Sequence, residues 1–358
     1  MASISRARKV SVMAMSPNAR QAAACASLPH GGDLAAARRQ FPNAPEPFID
    51  LSTGINPHAY PAPQLPPELF TRLPQPAALD RLLAAAAQAF GAPCANHIMA
   101  APGTQILLPA VASLVAPGRA AILGPTYAEH ARVAALSGHS TQEVHDISQL
   151  AGADLAVVVN PNNPDGRLIA SKSLLVLADT LRSRRGLLVV DEAFMDVAPV
   201  AASLAGEVAR GNIVVLRSFG KFFGLAGLRL GFALAPPDIT ARLAEWFGPW
   251  AVAGPAIAIG EAALGDTAWA QAMRHLLERD ARRLDETLSE AGLEILGGTS
   301  LFRLARAPAA SVLFHHLGNA GIWVRRFTEQ PTWLRFGLPG GEDAWMRLQA
   351  ALAAFARS

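Results

Sequence analysis

Short, almost uninterrupted runs of Val, Leu, Ile and Ala punctuate the middle of this chain and leave few folds open to it. Ala120 to Gly124, Leu155 to Asn160, Leu187 to Phe194, Asn212 to Phe219 and Leu228 to Ala235 read as strands, as does the more polar Ser140 to Val144, with helix-length segments between several of them. A strand apolar on both faces must be covered on both, which is the condition of a parallel sheet held between helix layers. The spacing predicts an α/β core with a mostly parallel central sheet. One intervening helix is expected over Ser171 to Arg185, with Ser171 as its N-cap.

Beyond Pro249 the pattern changes to a long charged helix from Asp266 to Ala291, short strands near Leu301, Ile322 and Trp333, and a closing helix from Glu342. That order predicts a second, smaller α+β unit. The expected organisation is a disordered extension over 1–29, an N-terminal arm over 30–50 packing with the small domain, a large domain over 51–245 and a small C-terminal domain over 246–358.

Composition narrows the partners. At 51% hydrophobic and 16% charged residues, the chain can bury a large core. A net charge of +3, without a lysine-rich run or a basic stripe among aromatics, gives no footprint for nucleic acid. The longest uncharged apolar stretch, Trp246 to Gly260, is interrupted by Pro249 and Pro255; it falls short of the roughly 18 residues of a membrane span. Cys25 and Cys94 make neither a disulfide framework nor a zinc-like spacing, so no metal is expected and a reducing, cytoplasmic compartment fits. The acid-free start, with Arg6, Arg8, Lys9 and Arg20, has too short an apolar run for secretion and suits a transit peptide, an extension, or a start at Met13 or Met15.

Only three lysines, Lys9, Lys172 and Lys221, stand against 28 arginines. Lys221 lies in Ser218-Phe-Gly-Lys221-Phe-Phe, and flanking by Phe219, Phe222 and Phe223 would desolvate its amine, lower its pKa and suit it to Schiff-base chemistry. Ligands of such sheets bind beyond the carboxyl ends of the strands. Two further ends are loaded: Asn160-Pro-Asn-Asn163-Pro-Asp-Gly166, and Asp191-Glu192 closing an apolar strand. A buried carboxylate needs a cation or donors, so Asp191 is expected to have a positive partner or to serve as a cap or structural ion pair.

Together these motifs resemble those of fold type I pyridoxal-phosphate enzymes, in the class I/II aminotransferase group, from about His30 to the C-terminus. The resemblance implies pyridoxal 5'-phosphate as cofactor, with Lys221 its covalent attachment and the catalytic residue, and Asp191 pairing with the ring nitrogen. It also implies that Asn163 donates to the ring oxygen, Tyr127 stacks on the ring, Ser218 and Arg229 hold the phosphate, and the Gly103-Thr104-Gln105 loop cradles it before a helix over Ile106 to Val115. Arg335 would grip a substrate carboxylate in a two-pronged bond. An active-site homodimer is implied as well, although Leu73 stands where relatives carry a Tyr that reaches across it.

Within that group, His30-Gly-Gly-Asp33 and the Gly54-Ile-Asn-Pro loop resemble the branch that decarboxylates a phosphorylated amino acid. There His30, Gly31, Gly54 and Asn163 would meet the substrate, and Arg325, or its neighbour Arg326, its phosphate. Read without the family, His30-Gly-Gly is a turn leading to Asp33 as N-cap of a helix over Leu34 to Gln40. Phe194 occupies the place of a Tyr usual in the aminotransferases and cannot donate to the ring oxygen, which favours the decarboxylase. The implied reaction is decarboxylation of O-phosphothreonine to 1-amino-2-propanol phosphate, a cobalamin side-arm precursor. The alternatives are a histidinol-phosphate-type aminotransferase and a non-catalytic scaffold on the same fold.

Overall fold

The computed structural model describes residues 30–357, so the expected extension over 1–29, with Cys25, lies outside the described residues. The chain opens with helix α1 (Leu34–Gln40), strand β1 (Ile49–Leu51), helices α2 (Glu68–Thr71) and α3 (Pro76–Phe90), strand β2 (Ile98–Ala101) and helix α4 (Leu107–Ala112). Next come β3 (Arg119–Leu123), α5 (Glu129–Leu136), β4 (Ser140–Val144), β5 (Leu155–Val159), α6 (Ser171–Arg182), β6 (Leu187–Asp191), β7 (Ile213–Ser218), α7 (Phe219–Phe222) and β8 (Gly231–Leu234). The remainder is α8 (Pro237–Phe247), α9 (Gly254–Gly265), α10 (Thr267–Glu290), β9 (Glu294–Thr299), β10 (Phe302–Arg306), α11 (Ala310–Asn319), β11 (Ile322–Arg326), β12 (Trp333–Gly337) and α12 (Glu342–Ala356).

The large sheet has the order β2-β8-β7-β6-β5-β3-β4, parallel except for β8, which runs against both neighbours. Its apolar runs follow from burial on two faces. Ala156, Val158, Leu188, Val190, Ile213 and Val215 enter one hydrophobic layer, while Leu155, Val157, Leu187, Val189, Val214 and Leu216 enter the other. Successive side chains of a strand point to opposite faces, so a sheet covered twice needs an apolar residue at every position. The exposed edge strand β4 escapes that demand and reads Ser-Thr-Gln-Glu.

The small sheet has the order β1-β11-β12-β10-β9, and β1 pairs with β11 in parallel register, Ile49 beside Ile322 and Leu51 beside Val324. The arm thus supplies an edge strand to the second unit, ending one residue past 50. Helix α9 packs on the large layer: at Gly260 an added Cβ would lie 2.6 Å from Leu230 and 3.0 Å from Leu82 of α3. Asp266 ends α9 and caps α10 through its side chain, which accepts from Trp269 N.

Several local expectations change. Ser171 is the first helical residue of α6 and Ala170 its N-cap, without a side-chain cap bond. The helix expected over Ile106 to Val115 begins as a 3-10 turn over Thr104–Ile106 and ends at Ala112, where the Ser113 hydroxyl bonds back to Pro109 O. The stretch around Pro255 folds as α9 because proline is tolerated in a first turn. Asp33 caps α1 as expected, accepting from Ala36 N.

Candidate active site

Register brings three strand ends together. Val159 of β5 lies beside Asp191 of β6, Asp191 beside Leu216 of β7, and Ser218 beside Gly231 of β8. The loops leaving these ends, Asn160–Arg167, Asp191–Phe194 and Ser218–Gly231, therefore open on one edge of the sheet. Against them lies the turn Gly103-Thr104, which approaches β8 so closely that a Cβ on Gly231 would lie 2.6 Å from Thr104 N.

Lys221 sits on α7, and the Gly54–Tyr60 loop clamps that helix from outside. Asn56 N donates to Lys221 O (2.9 Å), Asn56 Nδ2 to Phe222 O (2.8 Å) and Tyr60 N to Phe223 O (2.9 Å). Burial, with Arg335 and Arg229 nearby and Asp191 opposing, brings the Lys221 amine down to about 8. A lysine so displaced is neutral in a useful fraction of molecules near neutral pH. Its Nζ lies 5.8 Å from the centroid of Phe194. Phe194 packs edge-on against Phe302, and a Cβ on Gly54 would lie 2.9 Å from both rings. Gly54 thus lets the substrate-side loop close on the wall beside the lysine.

The two adjacent carboxylates separate by role. Glu192 is fully buried in a structural cluster, bonded to Ser203 Oγ (2.6 Å), Leu204 N (2.7 Å) and Arg217 (3.2 Å). Asp191 turns toward the site, and its partner within the chain is His130 of α5, with Nε2 2.9 Å from Oδ2. Asp191 Oδ1 accepts a second bond, from Ala193 N (3.1 Å). No sequence pattern marked His130, because α5 reaches β6 only through the sheet order.

At the other end of the pocket, Arg229 adopts φ 53° and its guanidinium lies against Gly103, where an added Cβ would be 2.7 Å from Nη2. Gly103 itself has φ 86°, a conformation that favours glycine. A cation, an open glycine turn and the Ser218 end of β7 therefore converge on one small space. The Gln105 side chain is committed elsewhere: Nε2 donates to Glu129 (2.8 Å), while Oε1 accepts from Tyr127 OH (3.0 Å). Burial and the Glu129 charge push the Tyr127 hydroxyl up to about 12, so it remains a neutral donor.

The small sheet contributes two arginines. Arg335 is 7% exposed and donates to Asn163 Oδ1 (2.5 Å) and Ser52 O (2.7 Å), while its Nε is buried without a partner. No carboxylate of the described residues pairs with it; burial and Arg325 bring it down to about 10, against a longer-range pull from Asp50. Arg325 stands directly across from Arg335 in the β11–β12 ladder. Residues so paired share a face, and like charges there are unfavourable unless an anion joins them. Arg326 points to the opposite face, 3.9 Å above the Phe314 ring of α11. Strand alternation therefore puts Arg325, and not Arg326, on the face of Arg335. Arg325 and Arg326 both border a 380 Å³ cavity lined also by His30, Gly31, Ser52 and Trp323.

The N-P-D-G turn meets the small sheet backbone to backbone, since a Cβ on Gly166 would overlap Gly298 O and one on Gly297 would overlap Asp165 O. Asp165 closes the turn by accepting from Asn162 Nδ2 (2.7 Å) and Arg167 N (3.0 Å). His30 reaches from the arm to within 6.0 Å of the Tyr127 ring. His130, Glu129 and Ser52 join them without any signal in the sequence.

Comparison with known proteins adds the following. The family model for aminotransferase class I and II matches residues 49–351. A protein of Sinorhizobium sp. named threonine-phosphate decarboxylase is 44% identical over 334 residues, 92% of this chain and 98% of that one. One of the same name from Pseudomonas aeruginosa is 41% identical, over 92% of this chain and 98% of its own. In fold, the chain is similar to the crystal structure of histidinol-phosphate aminotransferase from Sinorhizobium meliloti in complex with pyridoxal-5'-phosphate. The TM-score is 0.75 at 20% identity, over 93% of this chain and 96% of that one.

Proposed function

This chain belongs to the class I and II aminotransferase family, and from that membership we propose a pyridoxal 5'-phosphate-dependent threonine-phosphate decarboxylase. It converts L-threonine O-3-phosphate to (R)-1-amino-2-propanol O-2-phosphate and CO2 in cobalamin biosynthesis. The observation that carries this reading is the cross-strand pair Arg325 and Arg335 near the desolvated amine of Lys221, two cations that no carboxylate of the described residues pairs. A substrate bearing one carboxylate and one phosphate matches that pair of cations.

The residues present fit the cofactor. Gly103 and Gly231 leave open the space that a Cβ would fill beside Arg229 and Thr104 N, suiting a phosphate. Asp191, held by His130, suits a ring nitrogen that must stay protonated, and Asn163 and Tyr127 suit the ring's oxygen and face. Bound pyridoxal 5'-phosphate supplies an aldehyde that condenses with amines and a cationic ring that withdraws electrons from a bond at Cα.

The chain's own residues choose the bond. Arg335 fixes the carboxylate and Arg325 the phosphate, so the Cα–carboxylate bond rather than Cα–H is presented for cleavage. The Cα–C bond breaks, CO2 leaves, and the electron pair left at Cα takes a proton. Lys221, desolvated and titrating near 8, is the group that holds and delivers it. Phe194 offers no phenol toward the ring.

The reading includes a homodimer, supported by the exposed apolar side chains Phe70 (67%) and Leu73 (60%) ahead of α3. We place the reaction in the cytoplasm on the sequence argument; no described helix is long and apolar enough to cross a membrane. The deciding experiment supplies O-phosphothreonine and follows CO2 against 2-oxoglutarate-dependent glutamate. CO2 without glutamate supports the reading; glutamate formation from histidinol phosphate without CO2 replaces it with an aminotransferase.

A further inference from the structure

The turn His30-Gly31-Gly32 crosses from the small sheet to the large one. On the small side it is seated on Ser52: Gly32 N donates to Ser52 Oγ (2.8 Å), and a Cβ on Gly31 would overlap the Ser52 carbonyl. That carbonyl also accepts from Arg335. On the large side the turn meets a carboxylate, with His30 Nε2 3.5 Å from Glu129 Oε1.

Glu129 is 2% exposed, and the chemistry above does not use it. Its oxygens are shared by Arg132 (2.7 Å), Gln105 (2.8 Å) and His30. Burial pushes the carboxyl up, but the bond and charge of Arg132 bring it below its ordinary value, so it is ionised. Gln105 passes the connection on to Tyr127. One buried charge therefore joins the arm, the loop carrying Thr104, and the aromatic wall.

We propose that Glu129 is a positioning residue that latches the N-terminal arm, holding His30 over the cleft so that His30 and Gly31 complete the substrate side of the site. This rests on the function proposed above. The latch acts on substrate retention through His30, while Lys221 and Asp191 remain as they are.

The test is a double-mutant cycle on holoenzyme with Glu129→Ala, His30→Ala and the pair, measuring kcat and KM for O-phosphothreonine together with amide hydrogen exchange of the Gly31–Gly32 peptide. Each single variant is expected to raise KM by about tenfold with kcat within about twofold, and the double variant to be no worse than His30→Ala, because coupled residues are not additive. Exchange at Gly32 should quicken in both singles while absorbance of bound cofactor stays unchanged. Effects that multiply in the double variant, or unchanged exchange at Gly32, overturn the latch. If Glu129→Ala does not fold, Glu129→Gln, which keeps an acceptor for Arg132 and Gln105, enters the same cycle with an expected rise of about threefold. A wild-type enzyme that releases no CO2 refutes the decarboxylase; the exchange comparison still decides the latch.

Discussion

Replacing Arg335 by Leu separates two properties that usually fall together, the strength of a site and the stability of the fold around it. Arg335 is 7% exposed, donates to Asn163 Oδ1 and Ser52 O, and leaves Nε without a partner. A buried cation with no counter-ion carries an uncompensated desolvation cost. Leucine relieves that cost but loses two hydrogen bonds, each worth about 1.5–3 kcal/mol where a charge takes part. The terms oppose, and the apo-protein should change by no more than about 2 kcal/mol, a Tm shift of roughly 3 °C for a chain of this size. Substrate binding changes in one direction only. Losing a two-pronged grip on a carboxylate forfeits about 3–6 kcal/mol, which at about 1.4 kcal/mol per decade lowers kcat/KM by roughly 10² to 10⁴. Thermal unfolding of apo-protein and CO2 release by holoenzyme measure the two sides. An apo Tm lowered by more than about 10 °C, or kcat/KM within tenfold of wild type, would refute the argument that this arginine is held ready for an anion.

Lys221→Ala should abolish both the absorbance of bound cofactor and turnover; a variant keeping either is inconsistent with the assigned role. Because burial lowers the Lys221 amine to about 8, it is protonated below that pH and nucleophilic above it. Cofactor capture by apo-protein, followed by absorbance in stopped flow, should therefore quicken as pH rises through about 8, and a midpoint near 10 would refute the assignment. Arg325→Gln should raise KM for O-phosphothreonine by about tenfold or more, whereas Arg326→Gln, on the opposite face of β11, should stay within about twofold; steady-state kinetics on the pair decide it. Gly166→Ala places a Cβ against Gly298 O at a φ of 71°, and should cost about 2–4 kcal/mol of stability in denaturant unfolding.

The sequence alone carried the parts of this protein whose physics is local. Short apolar runs with no polar alternation fit strands buried on both faces, and β5, β6 and β7 lie where those runs do. A lysine among phenylalanines announced a desolvated amine because desolvation comes from its own neighbours. Less of the architecture was legible where the signal was short or ambiguous: the four residues of alanine-rich β2, and the apolar stretch that proved to be α9.

What only tertiary structure decided are the contacts between segments distant in the chain. His130 reaches Asp191 across 61 positions because β3 and β6 flank β5. Glu192 belongs to Arg217 rather than to the site because of the direction its side chain takes from β6. Which of Arg325 and Arg326 shares a face with Arg335 depends on the register of β11 against β12. Adjacent residues of a strand are equal in sequence and opposite in space; only the register of the sheet sets Arg325, and not Arg326, across from Arg335.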